Sequence, residues 1–342
     1  MRWNRTLQLI EVHCEGETGK IVTSGLGDIP GDTMARKLAY LNSPGPAEDL
    51  RKLLVLEPRG CPQASVNLLF PPAHADADAG FIVLQADQAH AMSGSNAICV
   101  VTALLETGAV TMQEPETEVM LDTAAGLVRA RVSCHDGRCE RVSLDMVPAY
   151  VEALDVPVQT DAWGEIQIDI AFGGVFYAIV DVQQLGLAIA PRQARQLVEA
   201  GMLLKQLCNR EIAVAHPEIP DINGIAYVMF RDRREPGRVQ TCTTLWPGRV
   251  DRSPCGTGSS ANLATQFARG EVKVGERLTS HSIIGSEFEI ELLASDTIEG
   301  RTRVYPCVSG RAWIFGMQQI GLDPSDPFPQ GFSLSDTWGP GL

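Results

Sequence analysis

Two short segments of this chain share one pattern but begin with different reactive atoms. The first begins at Ser93 and the second at Cys255. In each, a glycine follows the reactive residue, Ser or Thr comes next, and an apolar stretch runs on to a further glycine, Gly108 or Gly270, at the same spacing. A polar first turn, an apolar body and a final glycine are signals of a helix and its two ends. The sequence therefore predicts two equivalent helices, one starting with a hydroxyl and the other with a thiol.

The start of a helix is a place where a small anion can bind. Its first N–H groups have no partner inside the helix and the dipole is positive there, so a carboxylate is held and a Cys favours its thiolate form. If the two helix starts face each other, Ser93 and Cys255 would hold one small anion between them. The alternative is that both residues only cap buried helices, since Ser is a favoured N-cap and both helices are apolar nearly all round. The matched spacing favours a paired site.

Proton transfer at a carbon next to a carboxylate is the chemistry that suits such a pair. Helix N–H groups would stabilise the developing enediolate, while side chains on each face act as acid and base. The sequence has no dinucleotide-binding glycine motif after a strand, and none of its six His residues lies in a recognisable Cys protease signature. We therefore expect catalysis without a cofactor.

Cys134 and Cys139 are the only close pair among the nine cysteines. They flank Asp136 and Gly137 between two alternating segments, which predicts a β-hairpin. A metal site is the alternative, but the sequence has no second pair of ligands with zinc spacing. We expect free thiols in a reducing compartment and no metal centre.

The composition limits the partners of the protein. Of its 342 residues, 44% are hydrophobic and 20% charged, and the formal net charge is −14. This charge argues against nucleic acid and anionic membranes as partners, but not against a small anionic substrate, because a local helix terminus decides that. Apolar runs are too short for a signal peptide or a membrane span, so we expect a cytoplasmic protein.

Most of the chain is typical of short strands with few helices. A third helix is predicted from Pro191 to Cys208 by its 3.6-residue apolar period. Strands are predicted at residues 8–13, 53–56, 65–70, 80–84, 166–170, 176–180, 226–230, 288–292 and 302–305. The duplicated helix indicates an α+β fold of two pseudo-symmetric domains, each a curled, mostly antiparallel, barrel-like sheet around a central helix.

The domain boundary is expected just after the predicted hairpin. We place the first domain at residues 1–147 with Ser93, and the second at 148–317 with Cys255. The tail, residues 318–342, is rich in Gly, Pro and Asp, and we expect it to pack back on the first domain.

The stretch 251–258, Asp-Arg-Ser-Pro-Cys-Gly-Thr-Gly, resembles the second catalytic motif of the proline racemase family. Further strings typical of this family are spread over nearly the whole chain: residues 11–17, 29–34, 57–60, 169–174, 283–286 and 323–328. The resemblance implies a fold like that of diaminopimelate epimerase. It also implies pyridoxal-independent chemistry on proline or hydroxyproline, usually in a homodimer.

The first helix start departs from the family pattern. Members commonly carry Cys-Gly-His where this chain has Ser93, Gly94 and Ser95. A serine hydroxyl is several pK units less acidic than a thiol, which weakens one of the two proton-transfer partners. The string Met-Ser-Gly-Ser-Asn is similar to that of trans-3-hydroxy-L-proline dehydratases. This similarity implies a hydro-lyase that removes the α-proton and the 3-hydroxyl of trans-3-hydroxy-L-proline, giving Δ1-pyrroline-2-carboxylate.

Two alternatives remain open. In a 4-hydroxyproline 2-epimerase, an isomerase, Ser93 and Cys255 would exchange protons on opposite faces of the ring. In a non-catalytic binding protein, the same residues would only hold a proline-like amino acid. Substrate preference cannot be decided from the acid and base alone, because the pocket walls select the ring substituent.

The predicted catalytic residues are Ser93 and Cys255, and either could remove the α-proton. Family position favours Ser93 for the L-substrate, whereas acidity favours Cys255. Six residues are predicted to bind the ring nitrogen and the carboxylate: Gly94, Ser95, Asn96, Asp251, Gly256 and Thr257. For Asp251 the alternative is an exposed turn carboxylate.

Overall fold

The computed structural model describes residues 3–219, 222–235 and 238–334. The described chain divides into two compact units. The first contains the residues up to Leu144 and those from Gly310 on, and the second contains Asp145–Ser309. Both units consist mainly of strands around one buried helix.

The first unit begins with two long strands and two short helices. In chain order its elements are β1 (Arg5–Cys14), β2 (Glu17–Ser24), α1 (Met34–Leu41), α2 (Pro46–Val55), β3 (Ser65–Phe70), β4 (Ala79–Leu84), β5 (Ala89–His90), α3 (Gly94–Glu106), β6 (Glu116–Thr123), β7 (Gly126–His135) and β8 (Arg138–Asp145).

The second unit repeats this arrangement. Its elements are β9 (Ala149–Thr160), β10 (Gly164–Phe172), β11 (Phe176–Asp181), two 3₁₀ turns (Val182–Leu185 and Pro191–Gln193), α4 (Ala194–Glu211), β12 (Ile225–Asp232), β13 (Arg238–Leu245), β14 (Arg249–Val250), α5 (Gly256–Ala268), β15 (Arg277–His281), β16 (Glu287–Ile298) and β17 (Arg301–Gly310). The chain then returns to the first unit as β18 (Ala312–Leu322), which pairs with β1.

Strand pairing follows the same order in both units. In the first unit the order is β18-β1-β2-β3-β4-β6-β7-β8, antiparallel except at β2–β3 and β4–β6. In the second it is β9-β10-β11-β12-β13-β15-β16-β17, with parallel steps at the equivalent places, and β17 pairs again with β9. This confirms the predicted α+β fold of two pseudo-symmetric, barrel-like halves.

The central helices α3 and α5 end as the sequence predicts. Gly108 and Gly270 follow them with φ of 75° and 72°, the left-handed conformation that glycine adopts most easily. Every residue of α3 from Gly94 to Leu105 is buried. Each helix therefore forms the centre of its unit, and its first turn is held in place by the surrounding strands.

The predicted hairpin is also confirmed. Strands β7 and β8 pair Cys134 with Cys139, and Asp136 and Gly137 form the turn with positive φ. Both thiols are free.

The predicted strand at 53–56 is wrong. Its residues belong mostly to α2, which starts with Pro46, has Glu48 and Asp49 in its first turn, and buries Leu50, Leu53 and Leu54. A short apolar run is ambiguous between strand and helix, and the helical start signals decide here. Helix α1 was not predicted at all.

The second boundary between units lies earlier than the expected 317/318. Strand β18 pairs with β1 along its whole length, from Ala312 to Leu322, so a boundary at 317 would cut through a paired strand. The first boundary lies at Leu144, close to the expected residue 147. Residues 335–342 of the predicted tail lie outside the described residues. Within those described, no helix has both the length and the apolar character needed to cross a membrane.

Candidate active site

Ser93 occupies the N-cap position of α3 in the first unit. Its backbone is extended, with φ −149° and ψ 130°, and within the described structure its side chain makes no capping hydrogen bond. Instead, Ser93 Oγ accepts a hydrogen bond of 2.9 Å from Asn96 Nδ2, and Ser95 Oγ lies 3.4 Å away. The serine hydroxyl is therefore not used as a helix cap, and Ser93 itself is half-buried, directly before the buried first turn of α3.

Asn96 is held in place by a hydrogen bond from the sheet of the first unit. Its Oδ1 accepts a hydrogen bond of 2.9 Å from Asn67 Nδ2 in β3, and Asn67 also donates to the carbonyl of Lys20 at 3.3 Å. Gly19 makes room for this contact, because a Cβ there would lie 2.8 Å from Asn96 Oδ1. The hydrogen bonds thus run from β2 through β3 to the serine.

Cys255 occupies the N-cap position of α5 in the second unit. Its φ of 66° and ψ of 105° lie outside the regions that a residue with a Cβ readily adopts. Cys255 N donates to Ser253 Oγ at 3.2 Å, and Ser253 donates to Asp251 Oδ1 through both its backbone N (2.9 Å) and its hydroxyl (2.8 Å). Asp251 is only 6% exposed, so the exposed-turn alternative is wrong. Its carboxylate shapes the turn that holds the cysteine.

Two hydroxyl groups surround the sulfur of Cys255. Tyr177 Oη lies 3.4 Å from Sγ and 2.6 Å from Thr257 Oγ1, which is itself 3.9 Å from Sγ. Gly258 makes room for them, since a Cβ there would overlap Met229 Cε and lie 3.1 Å from Sγ. Sequence reasoning did not find Tyr177, and it included Gly258 only as the last residue of the family motif, without a role. A tyrosine inside the apolar strand β11 was the available signal, because a buried phenol usually has a polar partner.

Burial raises the pKa of the Cys255 thiol to about 12, and the charge of Asp251 adds to the rise. Hydrogen bonds from Tyr177 and the Gly258 N–H act in the opposite direction without outweighing it. The expectation that the helix start favours the thiolate is therefore wrong, because the pKa rises with burial and with the charge of Asp251. A cation placed beside the sulfur would lower this pKa.

The predicted site residues fall into two groups, one in each unit. Ser93 and the first turn of α3, with Gly94, Ser95 and Asn96, form the group of the first unit. In the second unit, Cys255 and the first turn of α5, with Gly256 and Thr257, lie beside Asp251. The N–H groups of both first turns precede the first intrahelical bonds, Ala97 N to Ser93 O and Ser259 N to Cys255 O. Each group can therefore offer a carboxylate several N–H donors next to one reactive side chain.

The sequence model of the proline racemase family matches residues 9–333. The chain belongs to this family. It is 59% identical over 340 residues to the 4-hydroxyproline 2-epimerase of Agrobacterium fabrum (strain C58 / ATCC 33970). The matched region covers 99% of each protein.

Solved structures agree with this assignment. A hydroxyproline epimerase from Agrobacterium vitis with bound trans-4-hydroxy-L-proline has a TM-score of 0.93 and 59% identity, covering 99% of this chain and 98% of the other. A Bacillus anthracis phenazine biosynthesis protein of the PhzF family is similar in fold alone, with a TM-score of 0.59 and 9% identity over 92% of this chain and 99% of the other.

The two side chains predicted to be catalytic, Ser93 and Cys255, have unequal surroundings in this chain. One is a serine oxygen with an amide N–H donor, and the other is a buried thiol with a raised pKa. The activity named for the relatives is epimerisation, which was the alternative in the sequence analysis. Dehydration of trans-3-hydroxy-L-proline has no support among them.

Proposed function

We propose that this protein is a 4-hydroxyproline 2-epimerase that inverts Cα of trans-4-hydroxy-L-proline to give cis-4-hydroxy-D-proline. The observation that carries the proposal is the 59% identity, over nearly the full length of both chains, to relatives with that named activity. The bound trans-4-hydroxy-L-proline in the similar Agrobacterium vitis structure supports the same substrate.

Inversion requires one group that removes the α-proton and another that returns a proton to the opposite face. We assign these roles to Ser93 and Cys255, the side chains at the two equivalent helix starts. The backbone N–H groups of the first turns, at Gly94, Ser95, Gly256 and Thr257, would stabilise the carboxylate as it becomes an enediolate.

The substrate itself would prepare Cys255 for the reaction. The ring nitrogen of hydroxyproline is a secondary ammonium, and the buried carboxylate of Asp251 is the group we assign to attract it. A positive charge close to the sulfur favours the thiolate, so substrate binding would lower the thiol pKa from its raised value. The thiol would thus ionise when there is an α-proton to transfer.

The test is a substrate panel in D2O followed by NMR. Trans-4-hydroxy-L-proline, trans-3-hydroxy-L-proline and L-proline are each incubated with the enzyme. We expect deuterium at Cα together with inversion for the 4-hydroxy compound, and slower reactions with the others.

The other outcomes correspond to the alternatives. Imine formation from trans-3-hydroxy-L-proline as the fastest reaction would replace the proposal by the dehydratase. Binding without any α-proton exchange would leave an amino-acid binding protein. Sedimentation of the same sample would check the homodimer that the family resemblance implies.

A further inference from the structure

We propose that Asn67 and Asn96 form an amide relay that positions Ser93 and stabilises its deprotonated form. Neither residue needs to touch the substrate, so both are positioning residues. The part of this inference that concerns turnover rests on the proposed function, whereas the part that concerns the reactive atom at position 93 does not.

The orientation of the two amides follows from the backbone carbonyl of Lys20, which can only accept a hydrogen bond. The Lys20 carbonyl lies 3.3 Å from Asn67 Nδ2, so the amide of Asn67 must point its N–H2 group that way. The same nitrogen then donates to Asn96 Oδ1 at 2.9 Å. Asn96 is consequently turned so that its own N–H2 group faces Ser93 Oγ at 2.9 Å.

Both amides are shielded from water. Asn67 is 0% and Asn96 2% exposed. Hydrogen bonds in such surroundings polarise one another, so an amide that accepts at its oxygen is a stronger donor at its nitrogen. The serine oxygen receives this donor, so its own proton can point toward a ligand or toward Ser95 Oγ, 3.4 Å away.

The second unit contains the same positions with different residues. Asn67 contacts the third residue after Ser93 and Met229 lies beside the third residue after Cys255, so Met229 is the counterpart of Asn67. Strand register agrees, because it pairs Ile21 with Asn67 and Ile179 with Met229. The third residue after the reactive atom is Asn96 in α3 and Gly258 in α5.

Each unit brings a hydroxyl or an amide to its own reactive atom, the first unit from the helix and the second from the sheet. The counterpart of Gly19 in β2 is Tyr177 in β11, two residues before the paired isoleucine in each strand. The first unit thus combines a glycine in the sheet with an asparagine on the helix, and the second combines a tyrosine in the sheet with a glycine on the helix. The large and the small residue have exchanged places between sheet and helix, but in both units the reactive atom keeps one polar neighbour. We infer from this that the asparagines serve the reactive atom and do not merely fill space.

A cysteine at position 93 can report on the relay without any substrate. In Ser93→Cys, the pH midpoint of alkylation by iodoacetamide, localised to position 93 by tandem mass spectrometry, measures the thiol pKa. We expect this midpoint to rise by about one pH unit when Asn96→Ala or Asn67→Leu is added, because the thiolate loses a donor or the donor loses its orientation. An unchanged midpoint in both double variants would overturn the relay.

Turnover gives the second readout. We expect Asn67→Leu and Asn96→Ala to lower kcat for trans-4-hydroxy-L-proline by tenfold or more while KM changes less than threefold. Thr102→Val is the matched control, because Thr102 is also fully buried on α3 and its Oγ1 makes no hydrogen bond to any described residue.

The two inferences fail differently. Wild-type enzyme without activity on hydroxyproline would contradict the proposed function and leave the alkylation result standing. Active wild type with fully active relay variants would contradict the relay alone. If Asn67→Leu fails to fold, Asn96→Ala decides, since alanine is well accepted in a helix.

Discussion

The first turns of α3 and α5 occupy equivalent places in two copies of one fold, yet their local structures differ. Ser93 has an ordinary extended backbone and is half-buried. Cys255 has a positive φ and is 7% exposed, and a buried aspartate holds the turn before it. The duplicated scaffold therefore fixes where a reactive atom sits, while its chemistry is set by the few side chains around it.

The surroundings of Ser93 and Cys255 also change the acidity of the two side chains in opposite directions. Ser93 oxygen receives an amide N–H, which stabilises negative charge on an atom that is a weak acid. Cys255 is the stronger acid by nature, but burial and the charge of Asp251 raise its pKa to about 12. The surroundings therefore reduce the difference in acidity between the Ser93 hydroxyl and the Cys255 thiol.

Removing the hydroxyl of Ser93 or the thiol of Cys255 should have the largest effect on activity. We expect Ser93→Ala and Cys255→Ala each to lower inversion of trans-4-hydroxy-L-proline by about 10²- to 10⁴-fold, because one face of the ring loses its proton carrier. Each variant should still exchange the α-proton of one epimer, measured by NMR in D2O, and the two variants should prefer opposite epimers.

The control for this pair is Cys208→Ala, which removes a fully buried thiol in α4. It should unfold more easily but keep its turnover. Loss of exchange from both epimers in both single variants would contradict the division of labour between Ser93 and Cys255.

Adding one methyl group beside the thiol should have the next largest effect. In Gly258→Ala the new Cβ meets Met229 Cε, which can move, but it also lies 3.1 Å from Cys255 Sγ and 3.2 Å from the Tyr177 ring. We expect kcat to fall by about 10- to 100-fold, because small displacements of a reactive atom are costly. The unfolding free energy should fall by only about 1–2 kcal/mol.

Gly316→Ala is the matched control, since its Cβ would lie in ordinary contact, 3.6 Å from Glu11 Cβ. Kinetics and chemical denaturation of both variants check the prediction. A larger effect on stability than on kcat in Gly258→Ala would show that this glycine serves packing rather than the sulfur.

Removing the tyrosine hydroxyl should have a smaller effect. In Tyr177→Phe, Cys255 Sγ and Thr257 Oγ1 both lose a polar neighbour inside the core. We expect kcat to fall by roughly tenfold and the unfolding free energy by about 1 kcal/mol, the usual value of one hydrogen bond. Tyr40→Phe removes a hydroxyl from α1 and should leave kcat unchanged. Equal rates for Tyr177→Phe and wild type would exclude the hydroxyl as a partner of the thiol.

The parts of the fold that follow from local signals were predicted from the sequence. Gly108 and Gly270 end their helices because a left-handed residue is needed there, whatever surrounds them. The hairpin at Asp136 and Gly137 is equally local. Helix α2 was missed because the apolar run at 53–56 fits a strand as well as a helix, and only its first turn shows which one forms.

The surroundings of the reactive atoms could not be predicted in the same way. Tyr177 reaches Cys255 from 78 positions away, and Asn67 reaches Asn96 from 29. These contacts depend on strand register, which the duplicated motif does not contain. The protonation of Cys255 was misjudged for the same reason, since the helix dipole can be seen in the motif but the depth of burial is a property of the whole unit.

The smallest expected signal is the ionisation of Cys255 itself. Because burial raises its pKa to about 12, roughly one thiol in ten thousand is ionised at pH 8. The difference in thiolate absorbance near 240 nm between wild type and Cys255→Ala should therefore be close to zero from pH 7 to 9, and it should appear when trans-4-hydroxy-L-proline supplies its ammonium group.

The sign of the stability effect follows from the same shift. A raised folded-state pKa makes the thiol's contribution complete below the unfolded pKa near 9, and the contribution is lost as the pH rises toward 12. Thiolate absorbance at pH 7 without ligand would mean that the helix start outweighs desolvation, and Cys255 would then differ from Ser93 in acidity far more than the structure indicates.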